Sequence, residues 1–476
     1  MSDELIELPE GWVWTKLSEL GEWSSGGTPS RKNSKYYDGE IPWVKTGDLP
    51  DGLIKKIDEK ITHEGLANSS AKLFSSGSLI VAMYGATIGK LGILQEPAAT
   101  NQACAVLLSQ GITTALIPYL FYYLLNSREK LRMIGKGGAQ PNISQTILKE
   151  YSYPLPPLNE QKRIVAKIEE LNDRTQRAKE ALETIPQLCD RFRQSVLAAA
   201  FRGDLTADWR RQDNEEFLDS NFPSTWKKGE LGNVVEGLKQ GWSPKCEIFP
   251  SPIDDIWGVI KTTAVQSLSF IEGENKQLPS HLEPRPELEV LKGDLLITRA
   301  GPRARAGVTC LVSSVRPKLM ICDKVYRFRA KESYVLPLYL AYFLNSPSAI
   351  SLIDELKTGI SDSGVNLTQE KFLALPLQFP LIAEQQEIVN RVKSLFKITE
   401  EIEQQYQKAK ANLDQLNQSI LAKAFRGELV PQDPDDEPAS VLLERIRAER
   451  EKLNNGKQKS QRTSKRKSKT VEEQGV

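Results

Sequence analysis

The chain has 476 residues, of which 39% are hydrophobic and 26% charged, values typical of a folded globular protein rather than a disordered one. Its 63 basic and 62 acidic residues leave a formal net charge of +1, so bulk charge alone does not indicate a nucleic-acid partner. The longest apolar stretches, at 79–83 and 119–125, are much shorter than the roughly 18 residues of a membrane span. The acidic N-terminus is not a signal peptide, so we expect a cytoplasmic protein without membrane contact.

Cysteine and histidine are too scattered to indicate a metal centre or a disulfide framework. The two histidines lie far apart, at His63 and His281. No C-x-x-C pair occurs among the five cysteines, which are Cys104, Cys189, Cys246, Cys310 and Cys322. We therefore expect no metal and no cofactor in this chain.

The first part of the chain, 1–155, is predicted to be a mixed α and β domain. Short apolar runs at 79–85 and 105–108 have the length and composition of buried strands, and 118–133 has the pattern of a helix.

A long helix is predicted to follow at 156–203, after the proline stop PLPPLNEQ at 154–161. Apolar or small residues alternate at spacings of four and three from Ile164 to Ala200, which is a heptad seam. Pro186 lies inside this seam and predicts a kink or an interruption. Gly203 suits the C-terminal cap, and 204–221 is predicted to be a linker.

The second half repeats the first. PYLFYYLLNS at 118–127 is matched by PLYLAYFLNS at 337–346, and QSVLAAAFRGDL at 194–205 by QSILAKAFRGEL at 418–429. This duplication predicts a second mixed domain at 222–380 and a second long helix at 381–428, whose unbroken seam keeps the register of the first helix 224 residues later. Two long helices packed along each other fit the seams better than two ordinary buried helix faces.

The C-terminal segment, 429–476, is predicted to contain a helix that begins near Pro438 and packs near the base of the second long helix. The stretch 457–469 has seven basic residues and no acidic one, which predicts disorder. Both a nonspecific grip on phosphates and a merely solubilising end fit that composition.

These motifs, taken in order, resemble the specificity subunit of Type I restriction-modification systems. The resemblance covers residues 5 to about 450, and its most specific stretches are GGTPSRKNSKYYDGEIPWVKTGDL at 26–49, YGATIGKLG at 84–92, QPNIS ending at Ser144, PLPPLNEQKRIV at 154–165 and FRGDLTADW at 201–209.

The resemblance implies an α+β fold in which two mixed target-recognition domains are separated by two long helices, packed as an antiparallel coiled coil with a pseudo-twofold repeat. It implies a non-catalytic subunit whose domains each read one half of an asymmetric bipartite site in double-stranded DNA. The helices would set the spacer, which should change when whole heptads are added to or removed from one helix. They would also dock two modification (methyltransferase) subunits, which restriction subunits join. S-adenosylmethionine, ATP and Mg²⁺ are expected on those partners.

In the second domain, DNA contacts are expected from a basic run. Residues 299–331 contain nine basic residues and one acidic residue, and the first three arginines follow an apolar strand in a Gly-Pro loop. A solvated charged face is the alternative. The candidates are Lys261, Arg299, Arg303, Arg305, Arg327 and Asn366.

In the first domain, candidates come from three glycine-containing stretches, where the backbone can approach phosphates closely and amides can bond adenine. The alternative is that these stretches are only tight turns and that Asn142 caps a helix from Ser144 onward. The candidates are Arg31, Lys32, Lys35, Lys45, Tyr84, Lys90, Lys136, Gln140 and Asn142.

Catalytic motifs are missing from the sequence. GATIGKL at 85–91 is too short for a phosphate-binding loop, and the only Pro-Pro pair is in LPPL, so the Asp/Asn-Pro-Pro-aromatic motif of amino-group methylation is lacking. Two other classes remain as alternatives to a recognition subunit: a coiled-coil adaptor whose two domains bind protein, and, less favoured, an enzyme acting alone on DNA.

Overall fold

The computed structural model describes residues 7–135, 142–211, 223, 225–252, 255–359, 362 and 364–453. It divides into two compact units, Met1–Ala181 with Ala409–Val476, and Leu182–Lys408. Each unit contains one globular domain, the adjoining part of one long helix and the opposite part of the other. Within the described part of the chain, no helix is both long and apolar enough to cross a membrane.

The first domain contains a five-stranded sheet of order β2-β10-β7-β8-β4, a four-stranded sheet of order β5-β3-β9-β6 and the antiparallel pair β1-β11. Every residue of β7 and β10 is buried, as their continuous apolar sequences predict. The strands are β1 (Val13–Lys16), β2 (Trp23–Ser25), β3 (Tyr37–Val44), β4 (Gly52–Ile54), β5 (Lys60–Ile61), β6 (Leu73–Phe74), β7 (Leu79–Ala82), β8 (Leu91–Leu94), β9 (Ala98–Thr100), β10 (Cys104–Leu107) and β11 (Ser152–Leu155). The helices are α1 (His63–Ala67), α2 (Thr113–Asn126), α3 (Arg128–Ile134) and α4 (Gln145–Lys149).

The first long helix is interrupted, whereas the second is continuous. The first consists of α5 (Leu158–Glu183) and α6 (Ile185–Arg202), and Pro186 lies in the first turn of α6, so the predicted interruption is confirmed. Proline has no backbone N–H, and the first turn of a helix is where that loss is tolerated. Gly203 follows in the left-handed conformation, with φ 83°, as the expected C-cap. A short helix, α7 (Ala207–Arg211), comes next.

The second domain repeats the plan of the first. Its four-stranded sheet has the order β13-β22-β18-β20, and β12-β24 pairs as β1-β11 does. The strands are β12 (Lys227–Glu230), β13 (Val235–Gln240), β14 (Gly258–Ile260), β15 (Val265–Gln266), β16 (Ser269–Phe270), β17 (Asn275–Gln277), β18 (Leu295–Thr298), β19 (Ala300–Gly301), β20 (Thr309–Leu311), β21 (Leu319–Met320), β22 (Val325–Ala330), β23 (Val365–Asn366) and β24 (Pro376–Phe379). The helices are α8 (Leu231–Val234), α9 (Pro337–Leu344), α10 (Pro347–Leu356) and α11 (Gln369–Leu373), followed by the second long helix, α12 (Ile382–Ala424).

The long helices run antiparallel in both units. In the first unit, Ile164 and Ile168 share a core with Ile420 and Ala424, while Lys179 Nζ lies 2.6 Å from a carboxylate oxygen of Asp414. In the second unit, Val196 and Ala200 share a core with Ile388 and Val392, while Arg193 pairs with Glu403 at 2.6 Å. In each pair, a later position on the first helix meets an earlier position on the second, as the resemblance implies.

A final helix, α13 (439–453), packs on the first domain. Its apolar face joins the core that contains Ile420 and Ala424 at the end of α12. Polar contacts fix its far end, since Arg450 donates to the Ser18 carbonyl at 2.7 Å and the Ile112 N–H donates to Glu449 at 3.0 Å. The basic stretch 457–469 lies outside the described residues.

Candidate nucleic-acid interface

The first domain brings two of its predicted site residues together. Tyr84 follows β7 and forms an isolated antiparallel bridge with Asn142, and the adjacent Ile143 N–H donates to the Met83 carbonyl at 2.8 Å. Both side chains face solvent, that of Tyr84 with 42% of its surface exposed. Lys90 lies at the end of the same loop and is half-buried. The loop after β7 therefore lies against the segment that leads into α4.

The second domain builds the same arrangement at the equivalent positions. Ala300 and Asn366 pair across β19 and β23, and the Leu367 N–H donates to the Arg299 carbonyl at 2.7 Å. Asn366 is exposed. The repeat relates Ala300 to Tyr84 and Asn366 to Asn142, so the backbone contact is kept while one of the two side chains differs.

Asn142 does not cap α4, which corrects one alternative from the sequence. The cap is Ser144, whose hydroxyl accepts from the Ile147 N–H at 3.1 Å. In the second domain Thr368 caps α11 in the same way, accepting from the Lys371 N–H at 3.4 Å. The side chain of Asn142 is therefore not needed for capping.

The Gly-Pro loop of the second domain holds Arg303 and Arg305 in protein contacts. Arg303 Nε donates to Asp362 at 3.0 Å and its Nη1 to Asp354 at 3.2 Å. The hydrogen bond that Arg303 donates to Asp362, followed by the charge of Asp354, raises the pKa of Arg303. Arg305 donates to the Thr262 and Val265 carbonyls at 2.5 and 2.7 Å. Arg303 keeps 37% of its side chain exposed. Arg305, in contrast, links the Gly-Pro loop to the segment 262–265.

Arg299 and Arg327 are also engaged within the domain. Arg299 donates to the Asp323 carbonyl at 3.0 Å and stacks over the Tyr326 ring, with 5.4 Å between the guanidinium carbon and the ring centroid. Arg327 donates to the Glu287 carbonyl at 3.0 Å and to the Glu289 carbonyl, and only 14% of its side chain is exposed. Much of the basic run at 299–331 therefore satisfies backbone carbonyls.

In the first domain, one carboxylate holds two of the predicted basic residues. Lys45 Nζ lies 2.8 Å from Glu59, and Arg31 pairs with the other oxygen of the same carboxylate. The hydrogen bond from Arg31, with that from Lys45, holds the pKa of Glu59 below its usual value, although partial burial opposes the shift. Arg31 also lies over the Tyr37 ring at 4.4 Å.

The remaining first-domain candidates differ in their surroundings. Lys32 and Lys35 are exposed and pair with no carboxylate among the described residues. Lys136 and Gln140 lie outside the described residues, so their predicted roles stay predictions.

The sequence analysis selected Lys261 and included Lys324 in the basic run at 299–331, but it missed the lysine-rich cleft that these two form with Lys245 and Lys276. Lys245, Lys261, Lys276 and Lys324 line this cleft of about 500 Å³, and Asp323 is the one carboxylate among its lining residues. The four lysines come from loops, strand ends and the short strand β17, spread over some eighty positions, so no local pattern reveals them.

An apolar groove lies between the two long helices in the second unit. Leu188 and Phe192 of α6 and Ile398 and Ile402 of α12 line it, with about half of each side chain exposed. Large exposed apolar patches of this kind are typical of protein-binding surfaces. No cluster of metal-ligating side chains occurs among the residues that the structure describes.

Comparison with known proteins defines the class. Residues 9–187 and 223–411 each match the family model of the Type I restriction modification DNA specificity domain. The EcoKI specificity subunit of Escherichia coli K12 is 30% identical over 96% of this chain and 99% of its own length. The EcoEI specificity subunit of Escherichia coli is 27% identical, with 85% of this chain and 81% of that protein covered.

Solved structures show the same fold. The TM-score is 0.62 to a chain from a structural study of assembly and conformational transition in the type I R-M system, at 20% identity over 89% of this chain and all of that one. It is 0.54 to the HsdS subunit of Thermoanaerobacter tengcongensis, at 20% identity over 90% of this chain and all of that one. The fold is thus that of a duplicated DNA specificity domain. The chain belongs to the Type I restriction-modification specificity subunit family.

Proposed function

We propose that this chain is the DNA sequence-recognition subunit of a Type I restriction-modification complex and that each domain reads one half of an asymmetric bipartite site. The observation that carries this proposal is the shared loop contact, Tyr84 with Asn142 and Ala300 with Asn366, built twice on related domains with different side chains. Two related but unequal surfaces suit two unequal half-sites. The domains are assigned to 1–155 and 222–380.

Base reading is assigned to the exposed side chains at these contacts. An asparagine amide can donate to and accept from one adenine edge, so Asn142 and Asn366 are the proposed base readers. Tyr84 offers a stacking face, and Lys32, Lys35 and Lys90 offer charges for phosphates. Arg299, Arg305 and Arg327 act by holding the loops, while the partly exposed Arg303 contacts DNA.

The helices are proposed to set the spacer and to dock two modification subunits, which restriction subunits then join. The apolar groove at Leu188, Phe192, Ile398 and Ile402 supports a protein-docking role, because burying such side chains against a partner helix removes apolar surface from water.

Replacing Phe192 and Ile402 by glutamate should release the modification subunit. Replacing the exposed Lys397 and Glu401, also on α12, by alanine should leave the complex intact.

The chemistry is assigned to the partners. This chain catalyses neither methylation nor cleavage itself; it directs adenine methylation and ATP-dependent cleavage by the other subunits in the cytoplasm. S-adenosylmethionine, ATP and Mg²⁺ bind to those subunits.

The test is to co-express the chain with its modification subunit in a methylation-free host and to read methylated bases across the genome. One bipartite motif, with a methylated adenine on each strand, is expected. Exchanging residues 222–375 for those of a relative should change one half of the motif only. A soluble co-purifying complex that adds no methylation would instead favour the coiled-coil adaptor.

A further inference from the structure

The two domains treat equivalent basic residues differently. Lys45 and Lys261 are equivalent in the repeat, and each directly follows a strand and precedes a short 3₁₀ turn. Lys45 lies 2.8 Å from Glu59, which also holds Arg31. Lys261 lies 3.4 Å from Glu274, a longer contact to a carboxylate that already accepts from Thr263 at 2.5 Å. Lys45 is thus held closer to its carboxylate than Lys261 is.

The cleft around Lys261 has a large excess of positive charge. Lys245, Lys276 and Lys324 are exposed, and none forms an ion pair with a carboxylate of the described residues. Asp323, the acidic lining residue, accepts a hydrogen bond from Ser243. Three ammonium groups without a carboxylate partner stand beside Lys261, which Glu274 holds at 3.4 Å, and Asp323 is the one lining carboxylate. This excess of positive charge forms a site for a phosphodiester anion, because lysine binds phosphate as a mobile point charge.

On the basis of the proposed function, we infer that the cleft lined by Lys245, Lys261, Lys276 and Lys324 binds the phosphate backbone of the second half-site. The equivalent Arg31–Lys45 cluster of the first domain attracts phosphate less strongly, because its two cations share the Glu59 carboxylate and keep one net positive charge. The cleft therefore contributes more to the salt dependence of the affinity than the Arg31–Lys45 cluster does.

Salt titration of the intact complex tests this inference. The slope of log Kobs against log salt is negative, and each phosphate contact that is lost reduces its magnitude by about 0.9. Lys245→Gln, Lys276→Gln and Lys324→Gln together should reduce this magnitude by about two to three, without changing the methylated motif. The matched control removes three exposed lysines outside the cleft, Lys227, Lys228 and Lys292, and should leave the slope at the wild-type value.

A second variant tests the asymmetry from the opposite side. Glu59→Gln releases Arg31 and Lys45 and should increase the magnitude of the negative slope by about one to two. An unchanged slope in Glu59→Gln would overturn the asymmetry between the domains. An unchanged slope in the triple cleft variant, or an equal drop in the control, would overturn the phosphate site.

A free polyanion is the competing occupant of the cleft, and calorimetry with inorganic triphosphate separates it from DNA. Triphosphate binding that the triple variant abolishes, with an unchanged DNA salt slope, would overturn the assignment to DNA. A wild-type complex that neither binds nor methylates a defined motif would instead refute the proposed function itself.

Discussion

Arg210 and Glu384 form an ion pair in which each side chain is only 5% exposed. Glu384 also accepts from the Thr206 hydroxyl at 2.7 Å and from the Trp226 indole at 3.2 Å. In the other unit the equivalent glutamate, Glu160, accepts from the Trp12 indole at 2.9 Å, and burial raises its pKa. Duplication has kept the tryptophan–glutamate bond in both units while the charge balance around it has diverged.

The two glutamates should therefore respond differently to the same substitution. Glu384→Gln removes the carboxylate that forms the buried ion pair with Arg210 and should cost about 3–5 kcal/mol of unfolding free energy. Glu160→Gln keeps an acceptor for Trp12 and should change that free energy by about 1 kcal/mol or less. Urea denaturation followed by tryptophan fluorescence measures both variants, and similar losses would contradict the contrast.

Glu160 also predicts a pH dependence. A carboxyl group whose pKa is raised in the folded state stabilises the fold below its unfolded pKa, near 4.5, and that contribution is lost as pH rises through the folded pKa. Glu160→Gln should therefore gain stability relative to the wild type between pH 4 and pH 7. If the difference in unfolding free energy between the variant and the wild type does not change over this range, folding does not raise the pKa of Glu160.

Asn142 and Ser144 should separate base reading from folding. Ser144→Ala removes the hydroxyl that caps α4 and should cost about 1 kcal/mol, with the methylated motif unchanged. Asn142→Ala removes an exposed amide and should leave the stability unchanged while relaxing the base preference at one position of the first half-site. Melting curves and genome-wide methylation provide the two readouts, and an unchanged motif in Asn142→Ala would remove it from the reading surface.

Features that depend on local pattern were predictable from the sequence, whereas features that depend on distant partners were not. The heptad seams, the interruption at Pro186 and the cap at Gly203 each follow from a few neighbouring residues. Arg303 forms ion pairs with Asp354 and Asp362, which lie more than fifty positions away. The sequence of the basic run does not indicate such distant acceptors. The lysine cleft could not be predicted for the same reason, because its four lysines are far apart in the sequence.

The helix α13 should be required for the stability of the first unit. Leu442 is fully buried in the core of that unit, so Leu442→Ala should cost about 2–5 kcal/mol. Val441, its neighbour, is 40% exposed, and Val441→Ala should change the unfolding free energy by about 0.5 kcal/mol or less. Chemical denaturation of the full chain compares the two variants. Equal losses of unfolding free energy would mean that α13 does not pack into the core of the first unit in solution.

Finally, the length of the paired helices should determine the spacer of the DNA site. Seven residues inserted between 183 and 184 and seven between 404 and 405, positions opposed in the antiparallel seam, keep the heptad phase of both helices. At 1.5 Å per residue the pair lengthens by about 10.5 Å, or about three base pairs at 3.4 Å each. Genome-wide methylation should show both half-sites unchanged and a spacer about three base pairs longer. Inserting four residues at each point breaks the seam and should abolish methylation, whereas an unaltered spacer after the seven-residue edit would rule out the helices as its determinant.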